Sequence, residues 1–140
     1  MPEPQTLLAF DFGTRNIGVA SGQTLTRTAS ELPPLPAREG IPDWQQLEKL
    51  LQQWNPDTIV VGLPVNMDGS EMEMTRRARK FGNRLHGRFG YPVVFADERL
   101  TTREAKQVAA ERGHRGNYRQ QPVDSVAARL ILESWMADSL

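Results

Sequence analysis

At 140 residues the chain has the length of one ordinary domain and can bury a core without staples, so residues 1–140 are read as a single domain. The absence of cysteine excludes disulfides, thiolate zinc sites and thiol catalysis, and two histidines, His86 and His114, leave little for imidazole metal sites. Lys and Arg total 17 against 17 Asp and Glu, which excludes a uniformly basic nucleic-acid binder but not local basic patches. Residues 5–12, 16–22 and 24–31 predict three short antiparallel strands, with a turn at 13–16 between the first two. The stretch 32–42 carries four prolines and predicts a loop. Asp43 followed by Gln46 is an N-cap pattern, opening a helix with Leu47, Leu50, Leu51 and Trp54 on one face and stopping at Asn55-Pro56.

Further along, "TIVVGL" at 58–63 and "PVVFA" at 92–96 are continuous apolar runs, as strands covered on both faces of a parallel sheet require. Between them Ser70 and Glu73 form a capping-box pattern, opening a helix with Met74, Ala78, Phe81, Leu85 and Phe89 on its apolar side. Thr101 and Glu104 repeat that pattern for a helix closing near Gly113. Pro122 suits the first turn of a last helix carrying Val123, Val126, Ala127, Leu130 and Ile131. The expected fold is therefore α/β, a mixed five-stranded sheet of three antiparallel strands continued by parallel ones, with helices on both faces.

Three acids stand where packing alone would not choose them. Asp11 lies inside the first strand, Glu98 directly follows the last apolar strand, and Asp124 falls in the first turn of the last helix among apolar residues. Singly, each has a structural explanation: a turn acceptor, a salt-bridged loop residue, a helix-start charge favoured by the dipole. Together, from separate elements, they suggest a shared cation, because a buried carboxylate needs a cation, a donor or neutralisation. Ligation by oxygen alone points to Mg²⁺ or Mn²⁺, and the matching chemistry is metal-assisted phosphodiester hydrolysis. Asp97 is adjacent to Glu98, but neighbouring residues on a strand point to opposite faces, so Glu98 is assigned to the site and Asp97 to a structural partner.

The segments "AFDFGTRNIGVA", "VVGLPVNMDGS", "DERLTTREA" and "VDSVAARLIL" occur in this order over nearly the whole chain, and the sequence resembles the YqgF family, also called RuvX, of the RNase H-like superfamily. The resemblance implies an RNase H-like fold and a divalent-metal nuclease with Asp11, Glu98 and Asp124 as catalytic residues and metal ligands. Members of the family are described as Holliday-junction resolvases and as nucleases that mature the 5′ end of pre-16S rRNA, and the second role is the expectation for this chain. Related junction resolvases carry a fourth acidic or His ligand about a turn before the last aspartate, where this chain has Gln121. A neutral amide weakens a second metal position, which is compatible with one-metal catalysis or with substrate phosphate completing the site.

For nucleic acid, Arg76, Lys80, Arg84 and Arg88 recur every four residues, with Arg77 and Arg79 alongside and no acid between 76 and 88. Either this is an ordinary solvated helix face or a stripe that releases counterions from a phosphate backbone. The loop 112–120, "RGHRGNYRQ", adds Arg115 and Arg119 directly before the Asp124 helix. Asn66, in a loop leading to a helix, and Arg15, beside Asp11, are further candidate phosphate contacts. No leader pattern and no run of about 20 apolar residues is present, so a cytoplasmic protein without a membrane partner is expected. The expected partners are nucleic acid, pre-rRNA ahead of branched DNA, and the ribosome or its precursor, with the chain a monomer or weak homodimer. A catalytically weak RNA- or ribosome-binding protein is the competing class. "DFGTRNIGVA" also resembles the phosphate hairpin of actin-like ATPases, but those need two such domains, which 140 residues cannot supply.

Overall fold

The computed structural model describes residues 3–100 and 123–140. Its elements are β1 (Thr6–Asp11), β2 (Asn16–Gln23), β3 (Thr28–Arg38), β4 (Ile41–Pro42), α1 (Trp44–Trp54), β5 (Thr58–Leu63), α2 (Glu73–Phe89), β6 (Val93–Asp97), a 3-10 turn (Glu98–Leu100) and α3 (Val123–Ser139). The helix expected over 101–113, and with it Arg115 and Arg119, lies outside the described residues.

The strands form one mixed sheet in the order β4-β3-β2-β1-β5-β6, with β1, β5 and β6 parallel and the rest antiparallel. Alternation along the strands sorts the side chains into two cores. On one face Leu8, Phe10, Ile59 and Val61 pack with Leu47 and Leu51 of α1 and Ala78, Phe81 and Leu85 of α2. On the other, Leu7, Ala9, Ala20 and Val60 pack with Ala128, Ile131, Leu132 and Met136 of α3. Both faces of β1 and β5 are therefore covered by helices, which is why those strands are apolar throughout rather than alternating.

The sheet has six strands where five were expected, because β3 runs on through the proline stretch to Arg38 and hairpins into β4. Proline cannot donate to a ladder, and the chain accommodates it by position: the β2–β3 register shifts between Ile17 and Val19, whose partners are Leu35 and Leu32, so Pro33 and Pro34 fall in the irregularity. The hairpin turns through Glu39 (φ 51°) and Gly40 (φ 82°), consecutive left-handed residues that suit the twist of a tight hairpin.

Asp43 caps α1 as expected, its Oδ1 accepting from the backbone N–H of Gln45 (2.9 Å) and Gln46 (3.3 Å), and Asn55 ends the helix at φ 42°. Ser70 does not cap α2. That helix begins at Glu73, with the Thr75 hydroxyl accepting from Met72 N–H (3.1 Å) and donating to the Pro64 carbonyl. Ser70 instead donates to Asp68 Oδ1 from both its N–H (2.9 Å) and its hydroxyl (2.6 Å), closing the loop ahead of the helix. The capping-box spacing was present, but a nearer carboxylate captured the serine.

Candidate active site

The candidate acids Asp11 and Glu98 lie where β1, β5 and β6 end. Asp11 is the last residue of β1 and follows Leu7 and Ala9 by the two-residue period, which places it on the α3 face. Its partner across β2 is Gly18, and Phe10 pairs with Val61, so Gly62 comes next on the other side. Beyond Gly62 the sheet edge is β6, where Gly62 pairs with Ala96.

Glu98 follows β6 and folds back over this row. A Cβ placed on Gly62 would meet Glu98 Oε1 at 2.6 Å, Glu98 Cγ at 3.0 Å and Ile131 Cδ1 at 2.6 Å. The Glu98 carboxylate and the α3 side chain Ile131 therefore occupy the ground a side chain at 62 would take, on the same face as Asp11. Glycine in a buried strand often marks such a close approach, and Gly62 inside the apolar run 58–63 is the sequence signal for this one. Both Asp11 and Glu98 are partly buried, and neither is without a partner.

Asp124 is the second residue of α3, two turns before Ile131, so the helix that carries it is the one packed over Glu98 and Gly62. The Asp124 side chain lies outside the described residues. Ser125, one position on, is buried and donates to the Leu32 carbonyl at 2.6 Å, fixing the first turn of α3 on β3. Among the described residues no three acids or histidines gather as a metal site. Asp11 and Glu98 are thus brought to one face, with the third expected ligand placed by its backbone alone.

Asp97 points the other way and is held by Arg99, which donates to Oδ2 from Nη2 at 2.6 Å and from Nε at 2.9 Å. Arg99 also donates from Nη1 to the Met67 carbonyl at 3.3 Å, tying β6 to the 64–71 loop. The Arg99 guanidinium holds the Asp97 carboxyl below its ordinary range, and Asp97 in turn raises Arg99. Asp68, in the same loop, is lowered by the Ser70 hydroxyl first and the Ser70 backbone second.

A group whose folded pKa is depressed stabilises the fold above its unfolded value, near 3.9 for Asp, and that contribution disappears as pH falls through the lowered folded value. Melting temperature is therefore expected to be flat above about pH 5 and to fall below about pH 4. Arg99→Ala is expected to lower the plateau and flatten the acid slope, as thermal melts across this range would show. An unchanged slope would mean the Arg99 clamp does not couple to folding.

Asn66 is exposed and donates from Nδ2 to Ser70 Oγ at 3.0 Å, while Arg15 is exposed in the β1–β2 turn. On α2, Arg76, Lys80 and Arg84 are exposed as a stripe. Arg88 continues it but lies 4.2 Å from the Trp44 ring centroid, so part of its role is to cover that ring. The α2 cations belong to the face opposite α3.

This sheet with helices on both faces has counterparts among solved structures. The chain is similar in structure to Thermus thermophilus RuvC in complex with a Holliday-junction substrate (TM-score 0.58, 14% identity, covering 95% of this chain and 94% of that one). It is similar also to the fowlpox virus resolvase in complex with junction DNA (TM-score 0.59, 13% identity, covering 96% and 99%). At such identities the likeness is one of fold.

Residues 5–138 match the family described as RuvX, Holliday junction resolvase, and the chain belongs to that family of nucleases. A relative from Saccharophagus degradans is 66% identical over 131 residues, 94% of this chain and 92% of its own. One from Chromohalobacter salexigens is 65% identical over 132 residues, 94% of this chain and 89% of its own. Both are provisionally named pre-16S rRNA nucleases.

Proposed function

We propose that this chain is a divalent-metal nuclease that cleaves precursor 16S rRNA, with Asp11, Glu98 and Asp124 as its metal ligands. The observation that carries the proposal is the seating of the Glu98 carboxylate over Gly62, on the Asp11 face and under the helix whose first turn carries Asp124. An all-oxygen donor set of this kind fits Mg²⁺ or Mn²⁺ and has no use for a thiophilic ion. When bound, such an ion supplies an activated water and stabilises the leaving oxygen. The chain's own part is to hold the carboxylates in register at the strand ends, through the β1–β2 pairing at Asp11, the Gly62 gap and the α3 packing. The names of the relatives, which match over about nine-tenths of both chains, support rRNA as the substrate.

Junction cleavage is the second reading, favoured by the family description and by the fold neighbours bound to junction DNA. It requires two sites acting on two strands and hence a dimer, whereas cutting one strand needs one site.

The exposed stripe supplies the phosphate contacts in either case. Arg76→Ala with Arg84→Ala is expected to weaken binding of any polyanionic strand and, for a single strand, to reduce the slope of log affinity against log salt by about 1.4, since each single-strand phosphate contact contributes about 0.7. Fluorescence anisotropy across a salt series reads this directly. A slope equal to that of the unsubstituted protein would make the stripe a solvated face.

A further inference from the structure

On the face away from α3, a cavity of about 200 Å³ opens between the 38–41 turn and α2. Its apolar wall is Phe12, Trp44 and Phe81, and its cations are Arg77, Lys80 and Arg84. We propose that this cavity takes one unpaired nucleotide of the bound strand, the base against the aromatic wall and its phosphate on Lys80 and Arg84. The proposal rests on the nucleic-acid reading above.

The position is the first ground for it. Phe12 directly follows Asp11, so their Cα atoms are about 3.8 Å apart while their side chains leave the sheet on opposite faces. A strand laid across the end of β1 reaches both: a phosphate toward Asp11 and Glu98, a flanking base over the edge into the cavity.

The second ground is that the cavity is already built. Arg77 Nη2 donates to the Glu39 carbonyl at 2.8 Å, and Gly40 N–H donates to the Thr14 carbonyl at 2.9 Å, which ties the hairpin wall to the β1–β2 turn. Gly40 sits at φ 82°, and a Cβ there would lie 2.7 Å from Phe12 Cζ and 3.2 Å from Arg77 Nη2, so the wall is as close as backbone can come.

The third ground is charge. Against the three lining cations stands one acid, Glu39, whose carbonyl already holds Arg77, and Lys80 and Arg84 make no ion pair among the described residues. At this size the cavity is below the range of whole-ligand sites and admits a single ring system. A base in a duplex would have to leave its stack and its pair to enter, so the site selects unpaired strands.

The test compares binding, without divalent ions and at fixed ionic strength, of a short single-stranded oligoribonucleotide and of the same strand annealed to its complement. Ile41 lines the mouth and is 52% exposed, so Ile41→Glu places a charge there without opening the core. Leu25→Glu, at a position 76% exposed in the β2–β3 turn, is the matched charge control. Ile41→Glu is expected to weaken single-strand binding roughly tenfold, the scale of one lost base contact, with duplex binding changed less than about twofold. Leu25→Glu is expected to leave both within about twofold, since an exposed charge far from the strand is screened. Ile41→Gln, a polar but uncharged side chain at the same exposed mouth position, is expected to repeat the selectivity more weakly should the charged variant melt early. Equal weakening of both forms, or of neither, overturns the nucleotide site and leaves the nuclease reading standing. Failure of the unsubstituted protein to bind either form overturns the nucleotide site, while the nuclease reading stands or falls separately on divalent-dependent cleavage.

Discussion

Asp11→Asn is expected to lower metal-dependent cleavage by more than about a hundredfold while moving the melting temperature by no more than about 4 °C. The amide keeps the shape of the carboxylate and its capacity to accept a hydrogen bond, so the end of β1 retains its contacts. What it lacks is the charge that attracts a hard divalent cation. Parallel cleavage assays and thermal melts read the two effects separately. A drop of well over 4 °C together with retained cleavage would make Asp11 a structural residue.

The second large effect belongs to a residue without a functional group. Gly62→Ala is expected to destabilise by about 1–3 kcal/mol through overpacking and to cut the cleavage rate severely. The new methyl must displace both Glu98, whose Oε1 lies 2.6 Å from its position, and Ile131 Cδ1, also at 2.6 Å. The two consequences can be separated because Ile131→Val removes the methyl that clashes. Combined with Gly62→Ala it is expected to restore much of the melting temperature and little of the activity. The rate is expected to fall with substrate binding nearly unchanged, since the basic stripe lies on the opposite face. Wild-type cleavage by Gly62→Ala would mean that the seating of Glu98 over β5 is not needed for turnover.

The strand period is where the sequence is most informative. Asp11 was visible because a carboxylate inside an apolar strand violates the local pattern, and the opposed faces of Asp97 and Glu98 followed from the strand period alone. Their observed environments, Asp97 on Arg99 and Glu98 on Gly62, agree with that period. The apolar runs of β5 and β6 likewise announced packing on both sides of the sheet, and both strands contribute to both cores.

Features that depend on which of several available partners a residue takes were not legible. Nothing local says that β3 will carry Pro33 and Pro34 through a shifted register, because the accommodation lies in the pairing with Ile17 and Val19 on β2. Ser70 satisfied a helix-capping pattern, yet Asp68 two residues earlier took its hydrogen bonds. Arg88 read as part of a basic stripe, while its contact with Trp44 is made across the gap between α2 and α1. The cavity behind Phe12 joins residues 12, 40, 44 and 77–84, a set that no single period connects.

The most direct test of the central claim is cleavage of end-labelled precursor 16S rRNA and of a four-way DNA junction, side by side, with Mg²⁺ or Mn²⁺, by the protein and by Asp124→Asn. The expected result is cleavage of the rRNA precursor that requires the divalent ion and is lost in Asp124→Asn. Cleavage undiminished in that variant, or tight salt-sensitive binding with no cleavage of either substrate, would contradict it.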